Sequence, residues 1–455
     1  MEEQAQIEQS GADQLGFNTQ ITLIPEVKPP VRWNLGLRIG FRFICIYFTL
    51  FSLSNQIFSE FVPIPKVSIP DLGILPPMRQ ITFWTAAHIF RVQGQLVYRG
   101  SGSGDKTFDW VQVFLFLAVA AASTVIWSVL DRRRPNYIIF HKWFSLVLRF
   151  ALASEMFLYG ISKIIPVQMR FPYLMQLVAP AGKFAPMSVL WFSVGASPAY
   201  EIFTGCAETL GGLLLIFPRT ATLGALVCLA DMIQVFTLNM TYDVPVKLLS
   251  FHLLLFSLFL LAPERERIVS FFLFPDRPTP PSTQPPLWRS PRALRIAVIL
   301  QVVFGFCLVG VNVLNRINAW HTYGDGRPKP SLYGIWDVEQ MTIDGQVRSP
   351  LINDYGRWRR VVFDVTTFTS FHRMDDSVEY FGSSIDDKAK VLKLTSFQDK
   401  NWKASLAFDR PVQDQLILDG SMDGHKIHMQ LKLFDRNKFP LVNRGFHWIN
   451  EYPHR

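Results

Sequence analysis

Cysteine is scarce in this 455-residue chain: Cys45, Cys206, Cys228 and Cys307 are the whole set. No two are spaced as C-x-x-C, and residues 329–455 contain none. This argues against a disulfide framework, a thiol redox pair and a zinc–cysteine site. All four fall in apolar runs, where cysteine behaves as a small buried hydrophobe. Catalytic signatures are equally sparse. There is no H-E-x-x-H, no G-x-S-x-G and no Cys–His pair. His88 and His252 are too few to argue for a haem or a metal centre. The run Gly100-Ser-Gly-Ser-Gly-Asp105 superficially resembles a phosphate-cradling loop. Such a loop needs a strand before it and a packed helix after it. An apolar span follows here instead, so the run reads as a turn.

Apolar residues, by contrast, are abundant. The chain is 49% hydrophobic and 14% aromatic, with 39 Phe and a mean hydropathy of +0.19. The long apolar runs stop near residue 315. A membrane domain followed by a soluble domain is the reading. The net charge is +9. Residues 329–455 hold 18 basic and 17 acidic residues, so the basic excess lies on the membrane half. There it flanks apolar helices, which argues for a lipid bilayer rather than nucleic acid as the partner.

Seven spans are expected, near 37–54, 109–130, 142–165, 200–217, 220–241, 245–262 and 296–314. Residues 1–31 read as a flexible polar tail, and the first span as an uncleaved anchor. Residues 32–140 then hold the first membrane helices and a long loop. In that loop, residues 79–92 place Trp84, His88 and Arg91 at helical spacing, as an interfacial or re-entrant helix would. A core is expected over 141–270, a Pro/Arg-rich linker over 271–295 and the last span over 296–314. The Asn239-Met-Thr241 sequon abuts the membrane and reads as chance. Basic residues cluster at Arg132–Arg134, Arg219 and after Arg265. The positive-inside rule then places the N-terminus in the cytoplasm and the C-terminal domain outside.

Residues 329–455 alternate in eight or nine short runs rich in Val, Phe, Thr and Leu. That pattern predicts an all-β meander closed into a small barrel, with a β-sandwich as the alternative. Gly334-Ile-Trp336 on the first strand resembles the lipocalin pattern. The aromatic tail after Phe439 is expected to plug one end of the barrel.

Ionisable residues inside apolar spans are costly and commonly serve a cavity, a relay or a ligand. Eight form the candidate site: Glu155, Lys163, Glu201, Glu208, Asp231, Asp243, Lys247 and His252. Glu208 lies seven residues after Glu201, on the same helix face and about 10 Å deeper at 1.5 Å per residue. The spacing places most of the set in the outer half of one bundle. Arg149, Tyr159, His88 and Trp84 are secondary candidates. Two readings of the cluster stand. Paired charges can hold helices together without chemistry, or they can line a binding pocket or proton-coupled site. Gly211-Gly212 reads as a close helix contact.

Tyr159-Gly160-x-x-Lys163, then Glu208-x-x-Gly211-Gly212-Leu-Leu-Leu, then Pro218-Arg219-Thr-Ala-Thr-Leu-Gly224-Ala resembles the DoxX family of bacterial membrane proteins. The resemblance covers about residues 142–265 and implies a four-helix core in the bacterial inner membrane. GASPAYEIF, NMTYDVPVK and RGFHWINEYP look like a longer subgroup of that family. The family includes proteins linked to quinone oxidoreductases, so the resemblance implies a bound quinone and a redox partner protein. Lys163, Glu208 and Gly211 occupy its motif positions. The alternative is a non-enzymatic scaffold or transport component whose barrel binds a lipid or a partner.

Overall fold

The computed structural model describes residues 32–62, 69–274, 276 and 290–453. The expected tail and nearly all of the expected linker lie outside these residues. Among the described residues, seven helices are long and apolar enough to cross a membrane. They are α1 (Leu35–Ser54), α4 (Thr107–Leu130), α5 (Ile138–Ile164), α8 (Pro198–Ile216), α9 (Ala221–Thr241), a sixth span over Lys247–Leu273, and α12 (Pro291–Thr322). The sixth span is α10 (Lys247–Leu261) and α11 (Arg265–Leu273), joined by one tight turn. Short helices fill the connections: α2 (Gln56–Phe61), α3 (Met78–His88), α6 (Leu174–Leu177) and α7 (Pro186–Gly195). A spanning helix satisfies its backbone groups internally, which lipid requires. Its outward face is correspondingly apolar: Val129 of α4 is 67% exposed and Leu300 of α12 is 63% exposed.

The sequence places five of the spans within a few residues, with two larger corrections: the sixth runs on through α11 to Leu273 rather than ending at 262, and the last is longer at both ends. α12 runs to Thr322 rather than 314, so its 32 residues reach about 48 Å, against a hydrocarbon thickness of about 30 Å. The extra turns after 314 carry Asn315, Arg316 and Asn318, polar residues that continue a helix without needing lipid.

Helices α5, α8, α9 and α10 pack in a ring, each against the next, with α12 lying against α5 and α8. The α5–α8 contact is set by two glycines. A Cβ on Gly160 would stand 2.9 Å from the Gly205 carbonyl oxygen, and one on Gly205 would stand 2.5 Å from that of Gly160. Small residues allow this approach. Gly211 and Gly212 are also contact points, facing Cys228 of α9 and Phe157 of α5.

Residues 334–433 form a closed antiparallel barrel. Its strands are β1 (Gly334–Ile343), β3 (Trp358–Phe363), β4 (Phe368–Arg373), β5 (Val378–Asp386), β6 (Val391–Ser396), β7 (Lys403–Asp409), β8 (Gln415–Met422) and β9 (His425–Leu433). The short β2 (Gln346–Val347) extends β1 as a hairpin. Each strand pairs with its neighbour, and β1 closes on β9 from Trp336 opposite Leu433 to Ile343 opposite Ile427. Closure excludes the sandwich alternative. Asp344-Gly345 and Asp423-Gly424 turn the hairpins with positive φ at both residues, as two-residue turns matched to strand twist require.

The barrel is filled. Phe363, Phe371, Leu392, Leu406, Leu416, Leu418 and Met429 point into one apolar cluster and are fully buried. Trp336 closes one end, its indole N–H donating to the Leu332 carbonyl at 2.9 Å, with Arg410 5.3 Å from its ring centre. An eight-stranded barrel is just wide enough either to be filled by side chains or to hold one small ligand, and this one is filled. The C-terminal tail departs from expectation. α13 (Pro440–Asn443) is followed by extended chain, and Phe446, Trp448, Ile449 and Tyr452 are 76–90% exposed rather than plugging the barrel. Trp336 and Leu332 already close that end.

Candidate functional site

The site grows from the Gly160–Gly205 crossing. One helical turn beyond Gly160 stands Lys163, and one turn beyond Gly205 stands Glu208. The close approach brings the two together. Lys163 Nζ donates to both carboxylate oxygens of Glu208, at 2.8 and 2.7 Å. Both residues are nearly sealed from solvent, at 6% and 5% exposure. A buried pair of this kind is strongly disfavoured when one partner is lost.

Two turns before Lys163 on α5 lies Glu155, which is fully buried. The Gln56 amide, from α2, donates to Glu155 Oε2 at 2.8 Å and to the Tyr159 hydroxyl at 3.0 Å. The second carboxylate oxygen, Oε1, has no hydrogen-bond partner. Asp231 of α9 lies within electrostatic reach of Glu208 and Lys163, and its Oδ2 is likewise buried and unpartnered. Buried polar atoms are nearly always satisfied. The unpartnered oxygen of Glu155, beside open space, is what a ligand or water would complete; Asp231 does not line that space.

That open space is a cavity of about 260 Å³. Glu155, Tyr159, Lys163 and Glu208 form its charged and polar wall, and Met156, Trp191, Met232, Val235, Leu238 and Leu253 line most of the rest, with Thr204, Asn239 and Ser250 among them. Its roof is the 166–199 connection, through Gln168, Met169, Met187, Leu190 and Val194. Tyr200 of α8 and Gln234 of α9 also line it and are themselves exposed. They mark a mouth on the flank of the bundle.

Several predicted residues stand apart. Glu201 is fully buried but fixes the roof, accepting the Met169 backbone N–H at 2.9 Å; its Oε2 is unpartnered. Asp243 is exposed and pairs with Lys247 at 2.9 Å, outside the cavity. The helix break at 242–246 carries both away from the bundle centre. His252 faces α1 rather than the cavity. Its Nδ1 meets the Leu248 carbonyl at 2.6 Å and its Nε2 meets the Tyr47 hydroxyl at 2.7 Å. The carbonyl can only accept, so Nδ1 carries the proton and Nε2 accepts from Tyr47. Phe51 stacks on the ring at 3.5 Å. Both nitrogens are thus consumed by structure. Arg149 bonds Gln301 of α12, away from the cavity. Trp84 and His88 stack on each other at 4.9 Å on α3, with Trp84 57% exposed. Arg91 lies beyond the end of that helix, at φ 52°.

Gln56 was missed by sequence reasoning. It sits just after an apolar run with no periodicity to flag it, and only the fold carries it to α5. Also missed was the seat of the barrel. Asp364, 1% exposed, accepts from the Leu174 backbone N–H and from Arg327 Nη2, each at 2.6 Å. Leu174 packs with Ile335 and Val362 on the outer wall of the barrel. Lys183 Nζ reaches the Asp376 carbonyl at 2.7 Å. The barrel is therefore fastened to the same 166–199 connection that roofs the cavity. Gly100–Asp105 is a fastening too. Asp105 accepts the Lys247 and Leu248 backbone N–H groups at 2.7 and 2.9 Å, capping α10. Asn239 donates to Ser250 at 2.9 Å and is buried, so the sequon is sequestered.

No group of three or more His, Cys, Asp or Glu side chains among the described residues is arranged to hold a metal ion. No family model matches the chain, and no solved structure matches it. A stretch of 124 residues, 27% of this chain, is 33% identical to the uncharacterized protein YwoB of Bacillus subtilis (strain 168) and covers 79% of that protein. On that identity and coverage, the chain belongs to the same family as YwoB.

Proposed function

We propose that the protein binds a quinone-type lipid in the cavity between α5, α8, α9 and α10 and works beside a redox partner in the bacterial inner membrane. The observation that carries this is the pairing of an apolar chamber with one polar wall. The wall offers donors to a quinone carbonyl from Lys163 and Tyr159. It also carries the carboxyls of Glu155 and Glu208, with Asp231 beside them, suited to taking or giving protons. The mouth flanked by Tyr200 and Gln234 suits entry from lipid rather than water. At about 260 Å³, the chamber accommodates a ring-sized head, a little below the usual span of about 300–1,000 Å³ for whole small-molecule sites. The redox association rests on the DoxX resemblance of Tyr159-Gly160-x-x-Lys163 and Glu208-x-x-Gly211-Gly212. In this reading the N-terminus is cytoplasmic and the barrel extracytoplasmic.

The competing reading is a scaffold or transport component whose barrel carries the ligand. The filled barrel interior disfavours it. The test is a mass spectrum of lipids extracted from the full-length protein purified in mild detergent. A quinone at near-stoichiometric level is expected, with occupancy reduced in Glu208→Gln. Its absence from the wild-type protein overturns the proposal.

A further inference from the structure

A second cavity, about 490 Å³, lies beneath the first long connection. It is more polar than the first. Asn55, Gln56, Asp71 and Gln112 line its inner part, and Arg99 and Ser101 its exposed rim. The loop around it is held in place. The Gly104 N–H donates to the Pro245 carbonyl at 2.8 Å, and Lys106 pairs with Asp109 at 2.8 Å.

The two cavities share a wall. Tyr159, Val246 and Leu249 line both. Gln56 belongs to the polar cavity and Glu155 to the apolar one, so their 2.8 Å hydrogen bond crosses the partition. On the far side, Glu155 Oε1 is buried and unpartnered. Glu60 of α2 and Asp71, which lines the second cavity, lie within electrostatic reach of Glu155. Burial pushes the carboxyls of both above their ordinary range. Groups of that kind hold and release protons nearer neutral pH than exposed acids do.

We propose that the polar cavity is an aqueous port through which Glu155 exchanges protons with the face of the membrane that bears the barrel. The step is a proton transfer alone: the Glu155 carboxylate takes a proton from a hydronium ion in the port, its O–H bond forming as a hydronium O–H bond breaks to leave water, and returns it by the reverse route. Gln56 and Tyr159 are positioning residues at the partition. The inference deepens the reading of the apolar cavity as a site whose ligand takes up and releases protons, and rests on it.

The test is the rate of hydrogen–deuterium exchange at the Glu155 carboxyl, read by infrared difference spectroscopy on the full-length protein in lipid nanodiscs. The band is assigned by its loss in Glu155→Gln and its displacement in Glu155→Asp. Ser101→Cys is placed in a background with Cys206→Ala and Cys307→Ala, then labelled with a bulky maleimide to obstruct the rim after folding. The unlabelled variant is expected to exchange as the parent does. Labelling is expected to slow exchange about tenfold or more, since each added 1.4 kcal/mol of barrier is about a factor of ten. Exchange unaffected by the label overturns the port. The same sample separates the two ideas. Label-sensitive exchange without bound quinone keeps the port and removes the quinone. Bound quinone with label-insensitive exchange does the reverse.

Discussion

The barrel and the bundle both bury carboxylates, and they treat them differently. In the barrel, Asp364 is engaged at both carboxylate oxygens. Arg357, 2% exposed, donates through its terminal nitrogens to the carbonyls of Trp358 and Val338, each at 2.9 Å, while its Nε is buried and unpartnered. The barrel interior around them is filled with apolar side chains. In the bundle, Glu155, Glu201 and Asp231 each leave one buried carboxylate oxygen unpartnered, and Glu155 borders a cavity. Every carboxylate oxygen among the buried unsatisfied atoms of the described residues belongs to the bundle. A satisfied buried charge in a filled core holds shape. An unsatisfied one beside a void is available to a ligand or a proton. The barrel's buried carboxylate is spent on its seat, and the proposed ligand and proton roles therefore fall to the bundle.

The sharpest way to break this contrast is at Lys163–Glu208. Glu208→Ala leaves a buried ammonium unpaired and is expected to cost about 3–5 kcal/mol of stability. Replacing both partners, Lys163→Met with Glu208→Leu, is expected to restore thermal stability to near wild type, because an apolar pair of similar volume is commonly neutral or better. Bound quinone is expected to stay lost. Thermal unfolding in detergent and extraction of bound lipid, measured on the same samples, check both halves. Recovery of both would make the pair purely structural.

The barrel supplies the next effect, through His372, which is 5% exposed. Burial, with Arg360 nearby, pushes it from an ordinary value near 6.5 down to about 4. The unfolded chain then binds more protons than the folded one between those values. Stability is accordingly full above pH 6.5 and is lost as pH falls toward 4, by up to about 3 kcal/mol. His372→Gln is expected to flatten that slope. Tryptophan fluorescence melts across this range, followed through the nearby Trp358, provide the measurement. A wild-type melt that is flat between pH 7 and 4.5 would count against a neutral buried His372.

The smallest effect separates His252 from the site. His252→Phe keeps the stack on Phe51 and removes the Tyr47 hydrogen bond, at an expected cost of about 1–2 kcal/mol. Quinone occupancy is expected to be unchanged. A loss of occupancy would return His252 to the pocket.

Much of the architecture was legible because it repeats. Apolar runs of spanning length predict helices, and alternation with Asp-Gly turns predicts a meander. The site was legible in part, because charges in apolar runs stand out singly. Their directions did not. Asp243, Lys247 and His252 share the sequence neighbourhood of the cavity, but Asp243 and Lys247 pair with each other at the break over 242–246 and His252 bonds Tyr47 of α1. Gln56 and Asp364 were illegible for the opposite reason. Neither is unusual where it stands in the chain, and each makes a defining contact with a partner about 100 to 190 residues away. The exposed tail was misread because aromatic content was taken for burial, when the barrel had already been closed by its own Trp336.

The contrast between a filled barrel and an open bundle is tested most directly by photolabelling the full-length protein with an azido-quinone in its native membrane, then mapping the adducts by peptide mass spectrometry. The account predicts adducts on the cavity wall, at Met156, Tyr159, Met187, Trp191 or Met232, competed away by unlabelled quinone. Adducts confined to residues 334–433, or spread over the lipid-facing helices without competition, would contradict it.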